Sequence, residues 1–208
     1  MDTATSTEAA TEAAIKAEES PGPHHILYPP GGLLIWSLVL MELITFGIAI
    51  IALVAAGGEE QEVFQTSRAQ LTPLYGVINT VFLLTSGYCM ALSVSSFKEG
   101  STARAKKLLS LTMLGGLLFL VLKAVEYNEK ITQGFTLGYD TFFTYYWLLT
   151  VFHVMHVLVG LVILVCMMMR LNNTQKSISH DDYEAGAVFW HMCDLIWLIL
   201  FPALYLLS

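Results

Sequence analysis

Charge is what this chain has little of. Charged residues make up 13% of its 208 positions, well short of the roughly 25% usual in soluble domains. Cations are scarcer than anions, with 10 Lys and Arg against 17 Asp and Glu. That balance leaves no basic face for a nucleic acid. Part of the excess lies near the N-terminus, where Asp2, Glu8, Glu12, Glu18 and Glu19 face only Lys16. Cysteine is rare as well. Cys89, Cys166 and Cys193 stand far apart in apolar runs with no CxxC, so they read as small buried hydrophobes rather than a disulfide or thiolate metal site. Also absent are a nucleophile beside its base, a closed metal-ligand set and a phosphate-binding loop.

Apolar surface is what the chain has instead. Hydrophobic residues reach 55% and mean hydropathy is +0.63, the composition of an integral membrane protein. Five apolar spans stand out, at 33–56, 72–97, 107–129, 142–169 and 187–207. About 20 helical residues at about 1.5 Å each cross the ~30 Å hydrocarbon core. The expected fold is therefore all-α: a polytopic membrane helical bundle with five transmembrane helices, occupying 29–208. The fourth span is long enough to tilt or protrude. The connections are short and polar, except that 170–186 carries the acidic stretch HDDYE. Residues 1–28, rich in Ala, Thr, Glu and Ser, bury too little apolar surface to offset their ordering entropy and are expected to form a mobile tail. No basic region precedes the first span, so no cleaved signal peptide is expected. Pro29, Pro30, Gly31 and Gly32 punctuate the entry to the membrane.

Loop cations set the orientation. Five spans put Lys16, Lys98, Arg104, Lys106, Lys107, Arg170 and Lys176 on one side and only Arg68 and Lys130 on the other. The excess of Lys and Arg marks the cytoplasmic side. The N-terminus is accordingly expected in the cytoplasm and the C-terminus in the periplasm.

Ionisable groups inside spans are costly unless they face protein and find partners. In the last span, FWHMCDLIWLILFPALYLL, His191 and Asp194 are three apart and share a helix face, bracketed by Trp190 and Trp197. Glu42 is the only charge in the first span, about 14 Å of helix from its start, where a carboxyl must face a neighbour or stay protonated. In the second span Asn79, Ser86 and Ser93 recur every seven residues, a stripe suited to close helix packing. The third ends in Lys123, Glu126 and Lys130 on one face, read as an ion pair whose lysines snorkel toward the outer interface. The fourth holds His153, His156 and Gly160. Imidazole is the commonest ligand of haem and metals, but this spacing is not HExxH and no Cys, Asp or Glu accompanies it. A bis-histidine haem would need His191 opposite His153 or His156. Counted from position 187, His191 lies only about 6 Å into its helix, too shallow to face them.

These segments together resemble a known family. NTVFLLTSG (Asn79 to Gly87), KAVEYNEK (Lys123 to Lys130), FFTYYWLLTVFHVMHVLVG (Phe142 to Gly160) and FWHMCDLIWLILFPALYLL (Phe189 to Leu207) are similar to the third subunit of haem-copper oxidases, the subunit III superfamily of cytochrome c oxidase. The likeness runs from about residue 30 to the end. Within the superfamily the chain most resembles the five-helix proteins associated with bacterial nitric oxide reductase, with the five-helix third subunit of ubiquinol oxidases next. The resemblance implies a bundle in the bacterial inner membrane that packs on a catalytic haem-copper subunit, with haem and copper held by that partner and none by this chain. Phospholipid is the other partner implied, and a candidate bound molecule. Glu42 falls where the family keeps its membrane-buried acid, and Glu126, His153, His156, His191 and Asp194 fall on its buried polar positions. The two N-terminal helices of the seven-helix form are missing, so the lipid cleft they create is not assumed. Cys193 departs from the motif as packing without chemistry.

The function this implies is that of a non-catalytic accessory subunit, stabilising a haem-copper enzyme and supporting proton or lipid access. In that reading His191 and Asp194 form an interhelical clamp, with His153 and His156 as their counterpart or as a separate hydrogen-bonded knot. The alternatives are a b-type cytochrome or quinone-binding redox protein using the histidines, and a proton or small-solute channel lined by Glu42 and the histidines.

Overall fold

The computed structural model describes residues 32–173 and 178–206. The tail expected over 1–28, with Lys16, the punctuating Pro29, Pro30 and Gly31, and Lys176, lies outside them. The described residues form six α-helices and no strand: α1 Leu33–Glu59, α2 Gln61–Arg68, α3 Pro73–Lys98, α4 Thr102–Thr132, α5 Thr141–Asn172 and α6 His180–Tyr205. All but α2 are long and apolar enough to cross a membrane. This is the polytopic five-span bundle that the hydropathy pattern predicts.

The span boundaries differ from expectation at two places. The short polar connections between spans were not expected to hold a helix, yet α2 folds in the first of them. Its Phe64 is fully buried while Glu62 and Gln65 stay outside, so one side chain anchors an otherwise polar turn. The second difference is the acidic HDDYE stretch, which opens α6 instead of forming a loop. Ser179 caps the helix, accepting from the Asp182 backbone N–H at 3.0 Å, and Asp181 and Asp182 occupy the positive first turn.

This earlier start changes the place of His191 along its helix. It lies eleven residues beyond His180, about 16 Å along the axis, rather than the ~6 Å counted from position 187. Its neighbours agree: Asp194 packs on Gly87, which stands fourteen residues into the 26-residue α3. His191 therefore sits near mid-membrane.

Two tight connections keep neighbouring spans antiparallel. After α3, Ser101 N–H reaches the Ser96 carbonyl at 2.9 Å with Gly100 at φ 77. After α4, Phe135 N–H reaches the Lys130 carbonyl at 2.9 Å with Gly134 at φ 87. Both close the helix with the left-handed residue that glycine supplies without strain. Asp140 caps α5, accepting from Phe143 N–H at 2.6 Å.

The core is built round α6, which packs on α1, α3 and α5, while α3 and α4 make the most extensive helix pair. Of the most apolar stretch of each, 61% is buried in α6 and 17% in α1. The last helix is thus the axis and the first a peripheral strut. In hydrocarbon, close packing and interhelical hydrogen bonds replace the hydrophobic effect as the force between helices. The seven-residue stripe of α3 supplies both: Ser86 donates to the Thr112 carbonyl at 2.8 Å, and Ser93 donates to the Ala105 carbonyl at 2.8 Å.

Candidate functional site

The densest polar cluster lies between α4, α5 and α6. Lys123 and Glu126, three apart on α4, pair at 2.9 Å with exposures of 1% and 0%. Tyr146 of α5 donates to the Glu126 carboxylate at 2.9 Å, and Tyr205 of α6 donates to the same oxygen. The Lys123 ammonium also donates to the Tyr205 hydroxyl at 2.9 Å. It is ringed by Tyr127, Tyr146, Trp197 and Tyr205, whose centroids lie 5.0–5.5 Å away. A buried ion pair persists only when hydrogen bonds satisfy what the Coulomb attraction leaves over, and aromatic faces add attraction for the cation. The expectation that these lysines snorkel is corrected: Lys123 points into the bundle. Lys130 is also buried and pairs with Glu129 at 3.0 Å rather than with Glu126, its ammonium donating to the Gln70 carbonyl at 2.7 Å.

At the same end a second knot joins α2 to α5 and α6. Ser67 donates to Asp140. Arg68 sends Nε to the Leu204 carbonyl at 3.2 Å and lies over the Phe142 ring at 5.7 Å. Partial burial draws its guanidinium below the ordinary value.

Glu42 and His156 meet between α1 and α5. Glu42 Oε2 lies 3.2 Å from His156 Nε2, though without hydrogen-bond alignment. His156 Nδ1 lies 2.8 Å from the Phe152 carbonyl, which can only accept. Nδ1 therefore donates to that carbonyl, and Nε2 is the nitrogen turned toward the Glu42 carboxyl. Phe46 and Phe152 cover the pair.

His153 belongs to a different place. It is fully buried, its ring stacked on Trp197 at 5.4 Å and edged by Phe119 at 5.5 Å. Neither of its nitrogens has a hydrogen-bond partner among the described residues, and the same holds for the Asn79 amide. The aromatic rings fill the space beside His153, so a haem macrocycle does not fit there. Among the described residues, no three His, Cys, Asp or Glu gather as a metal site.

The two tryptophans are interhelical donors. Trp190 Nε1 donates to Ser86 Oγ and Trp197 Nε1 to Thr80 Oγ1, each at 3.0 Å. The rest of the Trp190 indole lies against bare backbone at Gly116 and Gly160. Asp194 is buried against Gly87, with Oδ2 3.6 Å from His191 Nδ1 and Oδ1 without a hydrogen-bond partner. His191 itself is 44% exposed. The histidines are not brought together: His156 goes to Glu42, His153 to the aromatic core and His191 to the outer surface.

Several members of these clusters were missed from sequence. Tyr146 and Tyr205 stand inside the quoted segments without being singled out, Arg68 counts there only as a loop cation, and Ser67 and Asp140 are not singled out at all. Only Asp140 carried a local signal, as a helix cap ahead of an apolar run.

The same stretch that builds these clusters matches a family. The model for cytochrome c oxidase subunit III matches residues 66–208. The chain belongs to that family. It is 32% identical over 130 residues to cytochrome c oxidase subunit 3 of Spodoptera frugiperda, covering 62% of this chain and 86% of the relative. Over stretches of the same length it is 34% identical to the Osphranter robustus protein of that name and 35% identical to the Cyprinus carpio one. Each match covers 62% of this chain and 49% of the relative, so the chain spans about half the length of those two. Family membership and five apolar helices together make this a multi-pass membrane protein.

Proposed function

We propose that the chain is a non-catalytic accessory subunit of a haem-copper oxidoreductase, embedded beside the catalytic subunit of a bacterial inner-membrane complex. The observation that carries this reading is how the ionisable side chains are used. Lys123, Glu126, Tyr146 and Tyr205 close on one another, and His153 is packed between aromatic rings. Such groups hold helices together and leave no ligand set open, so the family's redox chemistry is assigned to a partner. The b-type cytochrome alternative needs two histidines facing across a void, which the aromatic packing of His153 opposes.

The finer assignment follows the resemblance. KAVEYNEK and the W-H-M-x-D ending favour the five-helix branch associated with nitric oxide reductase. The loop cations favour an N-terminus in the cytoplasm: Arg68 and Lys130, the two on the opposite side, are tied to the Leu204 and Gln70 carbonyls. The Glu42–His156 pair is the candidate for a role in proton access, since it sets a carboxyl and an imidazole side by side between two membrane-spanning helices.

Purification of the tagged full-length chain in mild detergent, with mass spectrometry of its partners and an optical spectrum, tests the proposal. Recovery of a haem-copper catalytic subunit is expected, with the haem band following that subunit. Haem bound stoichiometrically to this chain alone, and lost on His153→Ala, overturns it.

A further inference from the structure

A polar group on the outside of a bundle at mid-membrane is expensive in hydrocarbon, and ionisable residues at that depth almost always face protein. His191 is such a group. Helix geometry puts it near the middle of α6, level with Gly87 near the middle of α3. Its side chain is 44% exposed. The contrast with Glu42 and His156 is informative, because those two cover each other at exposures of 17% and 13%.

His191 stands at a groove lined largely by small and β-branched side chains. The groove beside it, about 290 Å³, runs between α3 and α6 past Ala91 and Ala187, with Lys98 and Glu184 at its end. Lys98 and Glu184 form an ion pair, so the charge there is already balanced and no ionic ligand is called for. Small side chains along the groove permit close backbone approach, the usual way membrane helices associate. His191 Nδ1 faces Asp194, which leaves Nε2 as the outward nitrogen.

We infer that the α3–α6 face centred on His191 is the surface on which the catalytic subunit docks, through a membrane-spanning helix carrying a hydroxyl or amide that hydrogen-bonds to Nε2. The inference rests on the accessory-subunit reading and adds to it the face and the kind of contact. Lipid tails offer no hydrogen-bond partner to Nε2, so hydrocarbon alone leaves the imidazole unsatisfied.

Site-specific photo-crosslinking in the full-length chain tests this. Benzoylphenylalanine is placed at Ala91 or Leu195 on the proposed face, and at Val121 of α4 or Val162 of α5 as controls; all four positions are exposed. Adducts from 91 and 195, but not from 121 and 162, to a membrane-spanning segment of the catalytic subunit are expected. Adducts from 91 and 195 to lipid alone or to a second copy of this chain overturn the inference, as do adducts to the catalytic subunit from either control. His191→Phe is expected to reduce co-purification of the catalytic subunit at least tenfold while the variant chain itself is still recovered as monodisperse protein. Undiminished co-purification of that variant also overturns the inference. If the unsubstituted chain brings down no haem-copper subunit, the accessory-subunit reading falls with it. If it does and only the controls cross-link, that reading stands and the face is wrong.

Discussion

Tyr205, in the last turn of α6, donates its hydroxyl to Glu126 of α4 and accepts from Lys123 at 2.9 Å. One phenol thus bridges both members of a buried ion pair and ties the end of the described chain into the bundle. A pair of this kind is costly to break and cheap to replace. Removing one partner strands a charge, whereas removing both leaves apolar packing.

Lys123→Met is therefore expected to destabilise the protein by about 3–5 kcal/mol, because Glu126 keeps its buried carboxylate without a counter-charge. Lys123→Met combined with Glu126→Gln should recover most of that loss, and Tyr205→Phe alone should cost about 1 kcal/mol. Thermal unfolding in detergent, followed by size-exclusion of the monodisperse fraction, measures all three. A double variant as unstable as Lys123→Met alone contradicts the account.

The glycines divide by what faces them. A Cβ at Gly116 would lie 2.6 Å from the Trp190 ring and one at Gly160 2.9 Å from it, while at Gly47 nothing lies within 4 Å. Trp190 is pinned by its hydrogen bond to Ser86 and cannot swing aside freely. Gly116→Ala and Gly160→Ala are expected to lower Tm. Gly47→Ala, gaining helix propensity worth about 0.5–1 kcal/mol, should leave it unchanged or raise it. The sign of the difference between the two classes is the readout.

Periodicity and hydropathy were enough for the five spans, because a helix in hydrocarbon must satisfy its own backbone and advertises itself as a long apolar run. The stripe of Asn79, Ser86 and Ser93 was legible for the same reason: a seven-residue spacing fixes one face whatever packs on it. Partner choice was not legible. Nothing in the order of residues told Lys123 to face Tyr146 and Tyr205 instead of the interface, since those tyrosines arrive from other helices. The start of α6 was placed too late because hydropathy starts a helix at its first apolar residue, whereas Ser179 and two aspartates start it by capping. In α2 a single buried apolar residue, Phe64, gave too weak a pattern to separate a helix from a polar connection.

Asp140 does two jobs, capping α5 through Phe143 N–H and accepting from Ser67 of α2. Asp140→Ala removes both and is expected to cost about 1–2 kcal/mol, with faster hydrogen exchange in the first turn of α5 and in α2. Asp140→Asn keeps an acceptor for the cap and should stay close to the parent. Ser67→Ala should loosen α2 while α5 keeps its protection. Hydrogen exchange by mass spectrometry separates the three patterns, and protection in α2 unchanged by Ser67→Ala would rule out the link.

Asp194 and Gly87 are fitted to each other, the carboxylate resting where a Cβ on α3 would have to be. Gly87→Ala is expected to lower the yield of assembled protein by forcing Asp194 out of its seat, and Asp194→Leu should do the same through its bulk. Shortening the side chain reverses the argument. Asp194→Ala vacates the space that Gly87→Ala needs, so the two together should cost less than the sum of the singles, a coupling of the kind seen between residues in contact. Strictly additive losses across this cycle, measured as Tm and as yield of monodisperse protein, would mean that the two residues are not seated against each other and that α3 and α6 meet in a different register.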